Sequence, residues 1–139
     1  IYWSSQIAIS EENGLKFRIY GTKGALEWQQ ENPNMLVYKQ KDLPTQILTR
    51  GNGYLSTSAQ LLTRIPAGHP EGYYEAFGNL YRNYCQKLMA KKMGTPSNAD
   101  VFFPNVVDGT RGIKFVHDCV KSSNKDGAWV DGSFDYQNH

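Results

Sequence analysis

The residues best equipped for chemistry in this sequence stand in one stretch, Arg64-Ile65-Pro66-Ala67-Gly68-His69-Pro70-Glu71-Gly72-Tyr73-Tyr74-Glu75-Ala76-Phe77. His69 and Glu71 are its candidate binding residues. An irregular Gly/Pro segment delivers His69 and Glu71 to the start of a helix. Unpaired backbone N–H groups and the positive end of the helix dipole meet there, which suits an anionic or polyhydroxylated ligand. A histidine in that place can donate or accept a hydrogen bond. The plain structural alternative is that His69 caps the helix and Glu71 satisfies its dipole. The residues alone leave both readings open.

Other chemistry is sparse. Gly21-Thr22-Lys23-Gly24 and Gly51-Asn52-Gly53 are Gly clusters, but neither follows a strand and opens a helix as G-x-G-x-x-G. Neither can therefore aim backbone donors at a pyrophosphate in the usual way, and both read as turns. There is no P-loop and no serine in a nucleophile elbow. Cys85 and Cys119 sit among apolar neighbours and read as buried free thiols of a reducing compartment. His69, His117 and His139 show no spacing that closes a zinc site. Asp135 and His139 fall in a polar tail, and their spacing reads as chance. No catalytic, cofactor-binding or metal-binding residue is assignable on these grounds.

Bulk properties narrow the field further. A chain of 139 residues accommodates one domain, not a doubly wound cofactor domain with a substrate domain beside it. A formal net charge of +2 points to neither nucleic acid nor an anionic membrane. Lys16-Phe17-Arg18-Ile19-Tyr20 interleaves cations and aromatics, yet it lacks the Gly-bearing motif of an RNA-binding sheet. No apolar run is long enough to span a bilayer. No basic leader precedes an apolar stretch as a secretory signal requires, and free thiols of a reducing compartment go with an expected cytoplasmic location. The opening Ile1-Tyr2-Trp3 reads as the interior of a structured element, and hence as a piece of a longer protein.

These residues must be positioned by two kinds of element. Residues 3–10, 15–20, 25–30 and 35–38 alternate or run apolar in the manner of strands, and 45–49 suits another. Glu12-Asn13-Gly14, Gly21-Thr22-Lys23-Gly24 and Asn32-Pro33-Asn34 supply turn chemistry between them. Short connections predict an antiparallel meander. One face carries Leu15, Phe17 and Ile19; the other mixes Lys16, Arg18 and Tyr20 and suits a partner-covered surface. If Tyr20, Trp28 and Tyr38 share a side, that side is strongly aromatic. Residues 40–70 read mainly as loop, with a short helix near 58–62, and so long a loop is commonly functional.

The second half reads as helix. Tyr74, Phe77, Tyr81, Tyr84 and Leu88 form one helical stripe, started by Pro70-Glu71 and stopped by Gly94 and Pro96. A second helix spans about 105–122, and its Gly109 and Gly112 predict close packing against another backbone. Ala128-Trp129-Val130 reads as a closing strand. The fold class is α+β, a mainly antiparallel sheet with helices packed on one face. Residues 1–132 form the single domain, and 133–139 the polar tail.

Gly21-Thr22-Lys23-Gly24-Ala25-Leu26-Glu27-Trp28 with Glu31-Asn32-Pro33-Asn34 resembles the substrate-domain sheet of the Gfo/Idh/MocA oxidoreductases. The stretch from Gly68-His69-Pro70-Glu71-Gly72 to Tyr81 is similar to the start of that family's late helix. Asp108-Gly109 through Ser122-Ser123, then Trp129-Val130, is similar to its closing helix and strand. The resemblance implies a C-terminal domain of the kind also found in glyceraldehyde-3-phosphate dehydrogenase-like proteins. It implies a parent enzyme that binds NAD or NADP on a separate Rossmann domain and moves hydride to or from a sugar, cyclitol or related hydroxy compound. The family's Glu-Lys-Pro lysine and D-x-x-x-H histidine match no position here, so this chain by itself is expected to hold no cofactor and to be inactive. Arg64, His69 and Glu71 would then face the cofactor domain, with His69 as the substrate contact. The resemblance also implies a homo-oligomer built through the open sheet face, with no nucleic-acid or membrane partner. A non-enzymatic binding or oligomerisation module that kept the fold is the alternative.

Overall fold

The computed structural model describes residues 1–98 and 101–135. The chain divides into two compact units, the first Ile1–Arg82 and the second from Asn83 onward.

The first unit is built on a four-stranded sheet. Its strands are β1 (Lys16–Tyr20), β2 (Gly24–Gln29), β3 (Met35–Gln40) and β4 (Gln46–Thr49). They follow one another in sheet order and every pair is antiparallel, the meander expected from the short turns. Gly21 N–H closes the first hairpin on the Gly24 carbonyl at 2.8 Å. A side chain at position 24 would put its Cβ 2.4 Å from the Lys39 carbonyl oxygen, so only glycine lets β2 begin beside β3 there.

The register sorts the two faces. Phe17 pairs with Trp28, Ile19 with Leu26, Leu26 with Tyr38 and Leu36 with Leu48, which places these apolar residues on one side. Phe17 and Trp28 stack with ring centroids 5.4 Å apart. Lys16, Arg18, Tyr20, Glu27, Val37, Lys39 and Ile47 share the other side, where Glu27 and Lys39 form an ion pair. Tyr20 therefore does not share a face with Trp28 and Tyr38: it pairs with Ala25, one residue out of phase with Leu26.

Residues 3–10 do not form the strand that their alternation predicts. Alternation makes a segment able to be a strand, but the strand exists only where a ladder closes. Among the described residues this segment pairs with no neighbour, Ser10 turns out of the extended region at φ 66°, and Trp3, Ile7 and Ile9 are exposed.

Beyond β4 come α1 (Thr57–Leu61) and the first part of α2 (Tyr73–Met93). Ser56 caps α1, its hydroxyl accepting the Ala59 N–H at 3.3 Å. α2 starts at Tyr73, two residues later than the Pro70-Glu71 signal predicts, because Glu71 is engaged outside the helix as described below.

The second unit contains the rest of α2 and α3 (Val106–Ser123). α3 opens with a capping box: Asn105 Oδ1 accepts from Val107 N–H at 2.7 Å, and Asp108 Oδ2 accepts from Asn105 N–H at 2.9 Å. Buried Asn83 donates to the Phe102 carbonyl at 2.7 Å, and Tyr84 meets Phe103 edge-on at 5.5 Å. The predicted strand at 128–130 is absent. Ala128 instead finishes the helix end: its N–H bonds the Lys125 carbonyl at 3.1 Å and its carbonyl accepts from Ser122 Oγ at 2.8 Å. Gly109 and Gly112 do not meet the close neighbour predicted for them, since a Cβ on either would touch nothing within 4 Å among the described residues. Cys85 and Cys119, read from sequence as buried, are exposed. The polar tail falls partly outside the described residues, as does His139; Ser133 N–H and Oγ bond the Asp131 carboxylate at 2.9 and 2.8 Å.

Candidate functional site

Among the described residues the buried polar ones, Glu71, Asn79 and Asn83, each make hydrogen bonds, as desolvated polar groups must. Two of them, Glu71 and Asn79, organise the loop that carries the candidate residues. Glu71 Oε1 accepts the backbone N–H groups of Arg64 at 2.5 Å and Ile65 at 2.6 Å. Its Oε2 lies 3.2 Å from Arg50 Nη1, with the two side chains only 6% and 17% exposed. The Glu71 backbone is bracketed by the Asn34 amide, whose Nδ2 donates to its carbonyl at 2.9 Å and whose Oδ1 accepts its N–H at 3.0 Å. Both oxygens of this carboxylate thus face protein donors.

Arg64 is exposed, and its Nε donates to Asn79 Oδ1 at 2.9 Å. Asn79 Nδ2 donates to the Leu62 carbonyl at 2.6 Å, which locks the start of the loop onto α2. Gly78 makes room for this pairing, since a Cβ there would stand 3.1 Å from Arg64 Nη2. His69 is exposed on the loop. Its N–H bonds the Pro66 carbonyl at 3.2 Å and its carbonyl accepts from Arg50 Nη2. Gly68, at φ 85°, provides the left-handed turn just before it. Arg64, His69 and Glu71 therefore belong to one hydrogen-bonded loop. Asn34 and Arg50 hold that loop from the sheet side; in the sequence Asn34 signals only a turn and part of the family resemblance, and Arg50 after a strand signals nothing, so neither points to this loop.

The helix start is not the open anion site that its sequence suggests. Glu75 Oε2 accepts the Gly72 N–H at 2.9 Å, and this bond holds the Glu75 carboxyl below its ordinary range. His69 does not cap α2. The same is true elsewhere: a side chain caps α1, and a carboxylate stands at the start of α3. An acidic group stands at the start of both α2 and α3, which disfavours an anion there. The starts of α1, α2 and α3 are thus each met by a side chain of the protein itself. No three His, Cys, Asp or Glu side chains among the described residues are grouped to hold a metal ion. No described helix is long and apolar enough to cross a membrane.

β4 leads into the loop's support through a tight turn. Thr49 Oγ1 lies 3.1 Å from the Tyr54 hydroxyl and Thr49 N–H donates to it at 2.8 Å, both of which pull the Tyr54 phenol below its ordinary pKa. Asn52 Nδ2 bonds Thr49 Oγ1 at 2.7 Å. These bonds fix the turn from which Arg50 reaches the loop.

Comparison with known proteins agrees with this architecture. Residues 2–131 match the oxidoreductase family, C-terminal alpha/beta domain, of the Gfo/Idh/MocA group. An uncharacterized oxidoreductase of Bacillus subtilis (strain 168), YfiI, is 32% identical over 130 residues, which is 93% of this chain and 33% of that protein. The structure of an oxidoreductase from Sinorhizobium meliloti superposes with a TM-score of 0.86 at 45% identity, covering 91% of this chain and 35% of that one. An inositol dehydrogenase homolog from Azotobacter vinelandii, complexed with NADH and myo-inositol, superposes with a TM-score of 0.83 at 38% identity, covering 93% and 34%. The chain spans about a third of the length of these relatives. With a family match over nearly all of its residues, the chain belongs to the C-terminal alpha/beta domain family of the Gfo/Idh/MocA oxidoreductases.

Proposed function

We propose that this chain is the substrate and oligomerisation domain of an NAD(P)-dependent oxidoreductase acting on a sugar, cyclitol or similar polyhydroxylated compound. The single observation that carries this reading is the 64–71 loop. Its irregular backbone is pinned from both ends by Glu71, Asn79 and Arg50, while His69 stays exposed between them. A pre-ordered loop presenting one donor–acceptor side chain suits a hydroxyl-rich substrate, because little ordering cost remains when it binds. The likeness to a homolog complexed with NADH and myo-inositol supports the substrate class and the cofactor. His69 makes the substrate contact, and Arg64 and Glu71 hold the loop that presents it. The nicotinamide cofactor binds a part of the protein other than this chain, in keeping with the occupied helix caps described above.

The mixed face of the sheet forms the interface with a second copy. It sets Tyr20, Val37 and Ile47 among Arg18, Glu27 and Lys39, a pattern of apolar patches inside charges that a two-fold partner can match. Titration calorimetry tests the division of labour. The complete protein should bind NADH saturably and residues 1–139 should not; saturable binding by residues 1–139 overturns it.

A further inference from the structure

We propose that Arg50 is the positioning residue of this site: it fixes the 65–69 loop and, through it, the placing of His69. The inference rests on the assignment of His69 to the substrate, and goes beyond it by naming what holds His69 there. A guanidinium has five N–H donors in a rigid fork. At Arg50 they form hydrogen bonds to four protein acceptors, and Nη1 also stands in an ion pair with Glu71. Nε donates to Asn34 Oδ1 at 2.9 Å. Nη1 faces the Ile65 carbonyl at 2.8 Å and Glu71 Oε2 at 3.2 Å. Nη2 faces the Pro66 carbonyl at 3.1 Å and the His69 carbonyl. Three carbonyls of one short loop converge on one cation, and the carboxylate that holds the loop's first two N–H groups balances its charge.

This arrangement argues against two simpler roles. The Arg50 guanidinium is turned onto the protein's own acceptors, which suits holding the loop rather than meeting a ligand. Nor is it a surface ion pair, because its side chain is 17% exposed and its bonds reach both Asn34 and the 64–71 loop. The backbone next to it adds a mechanical link. Gly51 has φ 78°, and a Cβ there would stand 3.0 Å from the Ala67 nitrogen, so the turn after β4 lies directly against the loop. Lysine cannot replace this fork, because it offers a point charge and three donors from a flexible stem.

The test uses the complete protein, with Arg50→Lys, Asn34→Ala as a milder variant, His69→Asn, and the Arg50→Lys/His69→Asn double variant. Steady-state kinetics with a polyol and NAD are read beside amide exchange of Arg64, Ile65 and His69. Arg50→Lys should lower kcat/KM about ten- to a hundredfold, the scale of a small displacement at a reacting centre. The three loop amides should exchange at least about tenfold faster while those of α3 are unchanged, with Asn34→Ala shifting them the same way by less. In the His69→Asn background Arg50→Lys should cost no more than about twofold further, because the two act as a unit. Full activity with lysine would show that charge alone suffices and overturn the proposal, as would losses that simply add in the double variant. Unchanged loop exchange in Arg50→Lys overturns it too. If His69→Asn is silent while Arg50→Lys still loosens the loop, the substrate role of His69 fails and the clamp stands.

Discussion

Glu71 directs both carboxylate oxygens at its own surroundings, and that makes it a stability residue whatever ligand the loop serves. Glu71→Ala would leave the Arg64 and Ile65 N–H groups and one Arg50 donor without partners in a nearly buried place. Such losses cost about 1–3 kcal/mol per group and are not additive, so we expect a total of about 2–4 kcal/mol in urea denaturation. A midpoint equal to the parent's would contradict the hydrogen bonding described here. Glu75 gives a pH signature instead. Its carboxyl is held below the ordinary value near 4.5, chiefly by the Gly72 N–H. A depressed folded pKa contributes stability that is present above the unfolded pKa and lost as pH falls through the folded one. Thermal midpoints should therefore drop on acidification below about pH 4.5, and less so in Glu75→Gln. Equal acid sensitivity of the two proteins would remove Glu75 from the cap. Of these residues, His69 and Glu71 were legible in the sequence because Gly68, Pro70 and Gly72 surround them. Arg50 and Asn34 were not, because they meet Glu71 only after the chain folds back over as many as 37 positions.

At the scale of elements, local rules read well where hydrogen bonds are local. The meander of β1–β4, α2 and α3 fall where period and turn chemistry put them. The two missing strands share a cause: 3–10 and 128–130 have strand-like composition, but a strand is made by its neighbour, and sequence does not say whether an edge is on offer. The helix start failed differently. Pro70 and Glu71 imitate a first turn, yet the buried tie to Asn34 and Arg50 outweighs a dipole contribution of under about 1 kcal/mol. The glycines give opposing predictions. Gly109→Ala and Gly112→Ala should each stabilise α3 by about 1 kcal/mol in thermal denaturation, because nothing stands beside them. A loss at either would reveal a close neighbour in solution. Gly24→Ala should instead destabilise the protein, because its Cβ would meet the Lys39 carbonyl oxygen.

At the scale of the molecule, no apolar side chain among the described residues is buried, while aromatic and aliphatic side chains from Trp3 to Trp129 are exposed. Exposed apolar surface on this scale suits the self-association through the mixed sheet face proposed above. Light scattering at high protein concentration should give at least a dimer, and Val37→Lys with Ile47→Lys should shift it to monomer. A strictly monomeric parent would contradict that interface. Fold and family were legible in the sequence because turn residues and helical stripes are local patterns. Which surface meets which partner was not, because both sheet faces carry apolar residues.

The most direct measurement is the rate of nicotinamide reduction by the complete protein across a panel of polyhydroxylated substrates, compared with His69→Asn. We expect polyol-dependent reduction that His69→Asn lowers about tenfold or more in kcat/KM with no change in melting temperature. Equal rates in the two proteins, or no polyol-dependent reduction with either NAD or NADP, would contradict the placing of His69 at the substrate and the reading of this domain that follows from it.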